Sequence, residues 1–549
     1  MMTRGFCPHS PSSVTNSAVL TFDADILIVG SGFAGSLTAL ILNRIGLRPV
    51  LVDRTIHPRF AIGESATPTA DLVLGDLARE YGLPALTPLT AYGMWCRTYP
   101  QINRGLKRGF GYFQHRSGEP FEPNGRHSNE LLVTASSDEA HADTHWFRAD
   151  VDQFLVEQVR AAGIPFLDET CLEQFDNGPH WTINGRRRDE PIRIAAEFLI
   201  DATGAAPLLK QILGLSNHGH RFRTASRAVF GHFRDVPHWS DWLGTHGGQV
   251  RDHPFGCDDA AVHHLLDGGW MWALRFDNGI TSAGLVLDAA HHRFDPSVSA
   301  EAEWNQWLER YPSLAELFAG ASLVSSPGVL CRTGRLQRRV DRAVGPNWAL
   351  LPHAAGFIDP LHSTGIAHSL CGIERLMRLF AAHWKQPEFE PSLHNYEQTL
   401  FTEFDLIDDL ISGCYTALVS GRSGTQENDP DAEGRRSRPV TPRIPDVAFR
   451  LFASYSMLYF AAATTYERQR IDSRGETFSA YLCADDKRFR QTVRDLASRI
   501  SELHQTGRLD DTIAAEFERT VSNRIAPYNT AGLCDPSAGN MYRYTALPR

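Results

Sequence analysis

Short unbroken apolar runs in the first half of the chain give way to helical periodicity in the second. Asp25-Ile26-Leu27-Ile28-Val29 is apolar, β-branched and ends directly on glycine, as a buried parallel strand does. Residues 36–44 have helical composition, and Gly46 can stop them. Pro49-Val50-Leu51-Val52-Asp53 reads as a second buried strand, so residues 25–53 predict one β-α-β unit. Residues 55–148 are irregular and rich in Gly, Pro, Tyr and Phe, which predicts long loops laid over a scaffold. An amphipathic helix is expected over 150–162 and a strand over 194–200. Short alternating runs between 221 and 287 predict an antiparallel sheet covering a pocket. Trp348-Ala349-Leu350-Leu351 leads into a second glycine-bearing stretch over 353–365. Beyond Ile366 the helical period dominates, broken at 421–443 by a polar segment expected to be a mobile loop.

Composition narrows the function classes. The 549 residues are 42% hydrophobic and 21% charged, enough for large cores in two or three lobes. Lysine and arginine number 54 against 64 aspartates and glutamates, a net charge of -10, which argues against a general nucleic-acid or anionic-membrane binder and favours a small-molecule substrate. The nine cysteines are scattered, with no pair at metal or redox spacing; they are expected to be reduced thiols in a cytoplasmic protein, and no metal is expected. No apolar run suggests a membrane span, and residues 1–22 are expected to form a flexible tail.

The candidate chemistry begins at Gly30-Ser31-Gly32-Phe33-Ala34-Gly35. Between a strand and a helix, such a turn aims backbone N–H groups at a pyrophosphate; Gly32 permits close approach and Gly35 close helix–strand packing. Asp53, at the end of the second strand, is positioned to accept ribose hydroxyls. Arg54 beside it stays uncommitted between a phosphate partner and a solvated side chain. Asp201-Ala202-Thr203-Gly204 is either a second close approach to the cofactor or an ordinary strand-to-loop turn.

Together, the two turns resemble the fingerprints of FAD monooxygenases of the hydroxybenzoate-hydroxylase type, and Arg148-Ala149-Asp150-Val151-Asp152 resembles that group's arginine-bearing segment. The resemblance sharpens at Ile62-Gly63-Glu64-Ser65, within His57 to Pro68, which looks like the flavin-contacting strap of flavin-dependent halogenases. Gly356-Phe357-Ile358-Asp359-Pro360-Leu361-His362-Ser363-Thr364-Gly365-Ile366 is similar to the halogenase segment that passes the flavin ring. Gly105-Leu106-Lys107-Arg108-Gly109-Phe110 resembles the stretch bearing the essential lysine of the free-phenol and tetracycline branch.

The resemblance implies an α/β, Rossmann-like FAD-binding fold with an antiparallel substrate-binding sheet, residues 23–375 forming the core and 376–549 a mostly helical region. It implies FADH2 delivered by a separate NAD(P)H flavin reductase, chloride or bromide held by Ser363, Thr364 and Gly365, and hypohalous acid passed to Lys107, which halogenates a small phenolic or indolic aromatic. Asp359, Gly365 and Ile366 would adjoin the flavin, and a homodimer is compatible with the family. Biosynthesis of a halogenated secondary metabolite or antibiotic is the expected setting.

Lys107 read alone is a solvated lysine; only its sequence context raises it to catalyst. His362 stands where tryptophan-specific relatives carry a glutamate, and either removes a proton or packs beside the flavin. Trp270 and Trp272 match the family's W-x-W pair shielding the channel, but Leu274-Arg275 replaces Ile-Pro, and Pro352-His353 replaces Gly-Asp. These departures keep direct hydroxylation or epoxidation as an alternative, beside a flavoprotein that has lost its chemistry and only binds.

Overall fold

The β-α-β unit expected at the start of the chain nucleates the first of two large sheets. In this computed structural model, which describes residues 19–418, 445–473, 479–506 and 509–545, it comprises strand Leu20–Val29, helix Phe33–Arg44 and strand Pro49–Val52. The polar segment 421–443 and residues 1–18 of the expected tail lie outside the described residues, whereas residues 20–22 are strand, paired in parallel with residues 192–194. Strand Leu20–Val29 lies between Pro49–Val52 and Glu190–Asp201, with Trp348–Leu350 beyond the latter, all parallel and mostly buried. Burial on both faces is why these strands read as continuous apolar runs.

A nine-stranded sheet carries the pocket wall. Ser226–Arg234, Thr281–Asp288, Gly269–Arg275 and Ala260–Leu266 pair antiparallel, as the alternation predicts. The stretch expected to be loops supplies two further strands: Gly109–Gln114 runs parallel to Ala260–Leu266 and antiparallel to Glu130–Thr134. The same stretch contains helix Pro68–Glu80 and a ribbon of Arg104–Lys107 with Asp143–Trp146. These elements are short and buried by partners distant in sequence, so no local period announced them.

Helices Thr364–His383, Phe389–Leu418, Pro445–Asp472, Lys487–Thr506 and Asp511–Ile525 follow. Pro445–Asp472 contains a stretch long and apolar enough to cross a membrane, but 83% of that stretch is buried within the fold, as in a core helix. The C-terminal helices pack onto the first half of the chain and onto one another: Arg470 reaches Asp76 and, in helix Thr364–His383, Glu374, and Thr69 donates to Glu467. A final strand, Met541–Tyr542, joins Glu130–Thr134, an element the helical periodicity concealed. Cys171 is disulfide-bonded, which corrects the expectation of nine reduced thiols; spacing in sequence carries no pairing information.

Candidate active site

The glycine turn is shaped by close approaches. Gly30 has φ +104°, and a Cβ there would stand 2.6 Å from the Ala202 carbonyl oxygen, while one on Gly35 would strike the Gly30 carbonyl at 1.9 Å. Gly32 differs, because its Cβ would meet only Arg148 Nη2 at 3.5 Å and Asp152 Oδ2 at 3.7 Å. Gly32 therefore leaves room that the fold does not need, as a cradle for pyrophosphate would. Arg148 forks onto Asp152 with two 2.9 Å bonds, donates to the Ile62 and Gly63 carbonyls at 3.1 Å, and lies over the Phe33 ring. Asp152 in turn accepts from the Phe33 amide at 3.1 Å. One arginine–carboxylate pair thus ties the turn to the strap, and Asp152 had no role assigned from sequence beyond its place at the helix start.

Asp53 is buried and accepts from the Ser31 amide and hydroxyl, the Thr55 amide and hydroxyl, and Arg59. Burial opposes its ionised form, but Arg59 and these donors outweigh it and hold the pKa below the usual carboxylate value. Asp201 organises its own turn through Thr203 and Leu209; Gly204, at φ +72°, faces His353. Arg54 is exposed. The turn, Arg148 and the open face at Gly32 fit a dinucleotide cofactor.

The strap is pinned to the Asp143–Trp146 strand: Trp146 N donates to the Glu64 carbonyl at 2.6 Å, Ala66 N donates to the Thr144 carbonyl, and Ser65 bridges to His145. The Glu64 carboxylate pairs with His232 Nε2 at 2.7 Å. Lys107 lies directly beneath the strap. It is 0% exposed, donates from Nζ to the Ala66 carbonyl at 2.5 Å and sits 4.1 Å from the Phe110 ring centroid. Burial pushes its pKa down to about 8, resisted by Asp143 and Asp71. Gly105 and Gly109 on either side are required by backbone, since a Cβ would fall 1.9 Å from the Arg275 carbonyl oxygen or 2.1 Å from that of Val133. Arg108 turns away to the Ser136 and Ser137 carbonyls.

Phe110 forms part of the wall of a cleft shared with Thr67, Tyr459, Phe460 and the C-terminal residues Tyr542 to Thr545. Its lining is largely apolar and aromatic, as suits a small aromatic ligand. Behind the wall, His362 is buried, stacked on Tyr459 at 4.5 Å, 3.2 Å from the Tyr112 hydroxyl and 3.5 Å from Cys414 Sγ. Burial lowers its pKa to about 3, so it is a neutral packed imidazole. His263 and His145, beside Lys107, are pushed down to about 3 by burial and the lysine's charge.

Trp270 and Trp272 are both buried, 6.2 Å apart between ring centroids, on one face of their strand. Trp270 donates to the Tyr415 hydroxyl, which donates to Asp359 Oδ2, where Ser226 also donates. This chain holds Asp359 inward; burial raises its pKa to about 6. Gly284 lies opposite Trp272, where a Cβ would come within 2.2 Å of the indole.

Ser363 adopts left-handed backbone (φ 53°) and starts helix Thr364–His383 without a side-chain cap, so its first-turn amides have no intrahelical acceptor. Beside Thr364 and Gly365 a smaller cavity is lined also by His353 and Gly356, and a Cβ on Gly365 would meet nothing within 4 Å. Ile366 is buried in the same turn. Sequence reasoning missed Tyr415 and Tyr459 as parts of this site, and it placed Ala66 in the strap and Asp152 at the helix start without foreseeing their bonds to Lys107 and Arg148; only the i, i+4 spacing of Arg148 and Asp152 offered a signal.

A tryptophan halogenase family model matches residues 131–425. Monodechloroaminopyrrolnitrin halogenase PrnC of Pseudomonas fluorescens is 27% identical over 547 residues, covering 95% of this chain and 90% of its own. Tetracycline 7-halogenase of Kitasatospora aureofaciens is 30% identical over 384 residues, 68% of this chain and 66% of its own. Among solved structures, halogenase PltM aligns with a TM-score of 0.78 at 22% identity, over 94% of this chain and 99% of its own, and the α/β FAD-binding fold inferred from sequence is the fold they share. The chain belongs to the tryptophan halogenase family of flavin-dependent halogenases.

Proposed function

We propose that the enzyme takes FADH2 from a separate flavin reductase and, with oxygen and chloride or bromide, halogenates an electron-rich phenolic or indolic molecule through Lys107. The observation that carries this reading is the fully buried Lys107, with its amine against the strap and beside the aromatic wall of the cleft. Bound reduced flavin supplies the oxidising equivalents from oxygen that turn halide into hypohalous acid. The turn at Gly30 to Gly35 and Arg148 hold the cofactor, and the free first-turn amides after Ser363 suit a halide, because an uncapped helix start presents N–H donors to an anion.

With its pKa near 8, Lys107 has a substantial neutral fraction at mildly alkaline pH. The neutral amine attacks the halogen of hypohalous acid: an N–halogen bond forms, the O–halogen bond breaks, and the amine proton leaves with hydroxide as water. The aromatic ring then takes the halogen, its displaced proton restoring the balance. His362, neutral and already partnered by Tyr112 and stacked on Tyr459, serves as packing behind the wall. PrnC is named for monodechloroaminopyrrolnitrin and the Kitasatospora relative for tetracycline, which supports a small organic molecule as substrate here.

The test supplies purified enzyme with FAD, a reductase, NADH and bromide, and screens a phenol and indole panel by mass spectrometry. Brominated product that is lost in Lys107→Ala, with flavin binding intact, is expected. Bromination unchanged in Lys107→Ala would remove the lysine from the mechanism, and hydroxylated product in place of brominated product would favour the monooxygenase alternative.

A further inference from the structure

On the outer edge of the nine-stranded sheet, away from Lys107, two histidines converge on one glutamate. His127 Nδ1 is 3.0 Å from Glu130 Oε2, and His253 Nε2 is 2.9 Å from the same oxygen. All three side chains are buried, and among the described residues no lysine or arginine pairs with Glu130. His127 Nε2 is buried with no hydrogen-bond partner and stands 3.6 Å from Asp252 Oδ2. We infer that His127 Nδ1, Glu130 Oε2 and His253 Nε2 form a zinc site that clamps the loop before Glu130–Thr134 to the loop carrying His253.

Two imidazoles and a carboxylate are the donor set that divalent zinc takes, and ligands about 2.0–2.2 Å from the ion in a tetrahedron stand roughly 3.3–3.5 Å apart. Each imidazole nitrogen needs to move only a few tenths of an ångström away from Glu130 Oε2 to admit it, and the three atoms already lie within 4.8 Å of one another. A buried carboxylate needs a cation beside it, and a divalent ion held by the two imidazoles supplies that charge. Asp252 would then accept from His127 Nε2–H, the second partner that orients a metal-bound imidazole. The site also supports the C-terminus: the His127 carbonyl accepts from Asn540 Nδ2, and the Asn540 carbonyl accepts from Leu132 N, immediately before the strand that leads into the cleft wall.

The test uses untagged full-length protein, stripped with a chelator and dialysed against zinc, with metal measured by plasma mass spectrometry. About one zinc per chain is expected, together with a higher melting temperature in zinc, and at least about tenfold weaker zinc binding in Glu130→Gln and His253→Asn. Cobalt substitution of the wild-type protein is independent of how the variants fold: the intense visible bands of a four-coordinate ion support the site, and the weak spectrum of hydrated cobalt overturns it. Zinc retention by wild type no greater than by Glu130→Gln likewise overturns it, leaving a Glu–His cluster held by protons.

Discussion

Replacing Lys107 with methionine is expected to abolish halogenation and, at neutral pH, to make the protein more stable. The ammonium is fully buried and its pKa falls from 10.5 to about 8, so keeping it charged at pH 7 costs about 3 kcal/mol relative to the unfolded chain. Methionine fills a similar volume without that cost but loses the bond to the Ala66 carbonyl, worth about 1 kcal/mol. The net gain at pH 7 is about 2 kcal/mol, which for a chain of 549 residues is a rise in Tm on the order of 2 °C. Between the two pKa values the unfolded chain binds more protons than the folded one. Wild-type stability therefore rises relative to the variant from pH 8 to about 10.5, and the difference should nearly vanish by pH 10. Differential scanning fluorimetry of both proteins at pH 7 and pH 10, with FAD saturating, reads the effect. A variant less stable than wild type at pH 7, or an offset unchanged between the two pH values, would refute the picture of a desolvated amine.

Three other outcomes follow from the same geometry. Gly30→Ala places a Cβ 2.6 Å from a backbone oxygen at positive φ and should lower Tm, whereas Gly32→Ala meets ordinary contacts and should fold normally but bind FAD more weakly in a fluorescence titration. Arg148→Lys removes the forked pairing with Asp152 and the strap carbonyls, and its FAD affinity should fall by about tenfold, a loss of roughly 1.4 kcal/mol. Truncation after Asn540 deletes the strand and tail that wall the cleft, so KM for the aromatic substrate should rise while FAD binding persists; an unchanged KM would remove the C-terminus from the substrate site.

The sequence by itself determined the elements whose signals are local. Strand, glycine turn, helix and Asp53 were legible because a doubly buried strand must be continuously apolar and a turn under steric contact must be glycine, and both demands are written in consecutive residues. Arg148 and the Gly63-Glu64-Ser65 strap were legible as a pattern, though not that one guanidinium would bind them together. Tertiary structure alone decided the rest. Lys107 reads as an ordinary surface lysine until the strap, Phe110 and the Asp143–Trp146 strand close over it, and its lowered pKa comes from that burial. Nothing local marked residues 104–114 as sheet, since their partners lie at 130–134, 143–146 and 260–266. The last strand, 541–542, completes the cleft from more than 400 residues away, because pairing energy depends on proximity in space and leaves no trace in the neighbouring sequence.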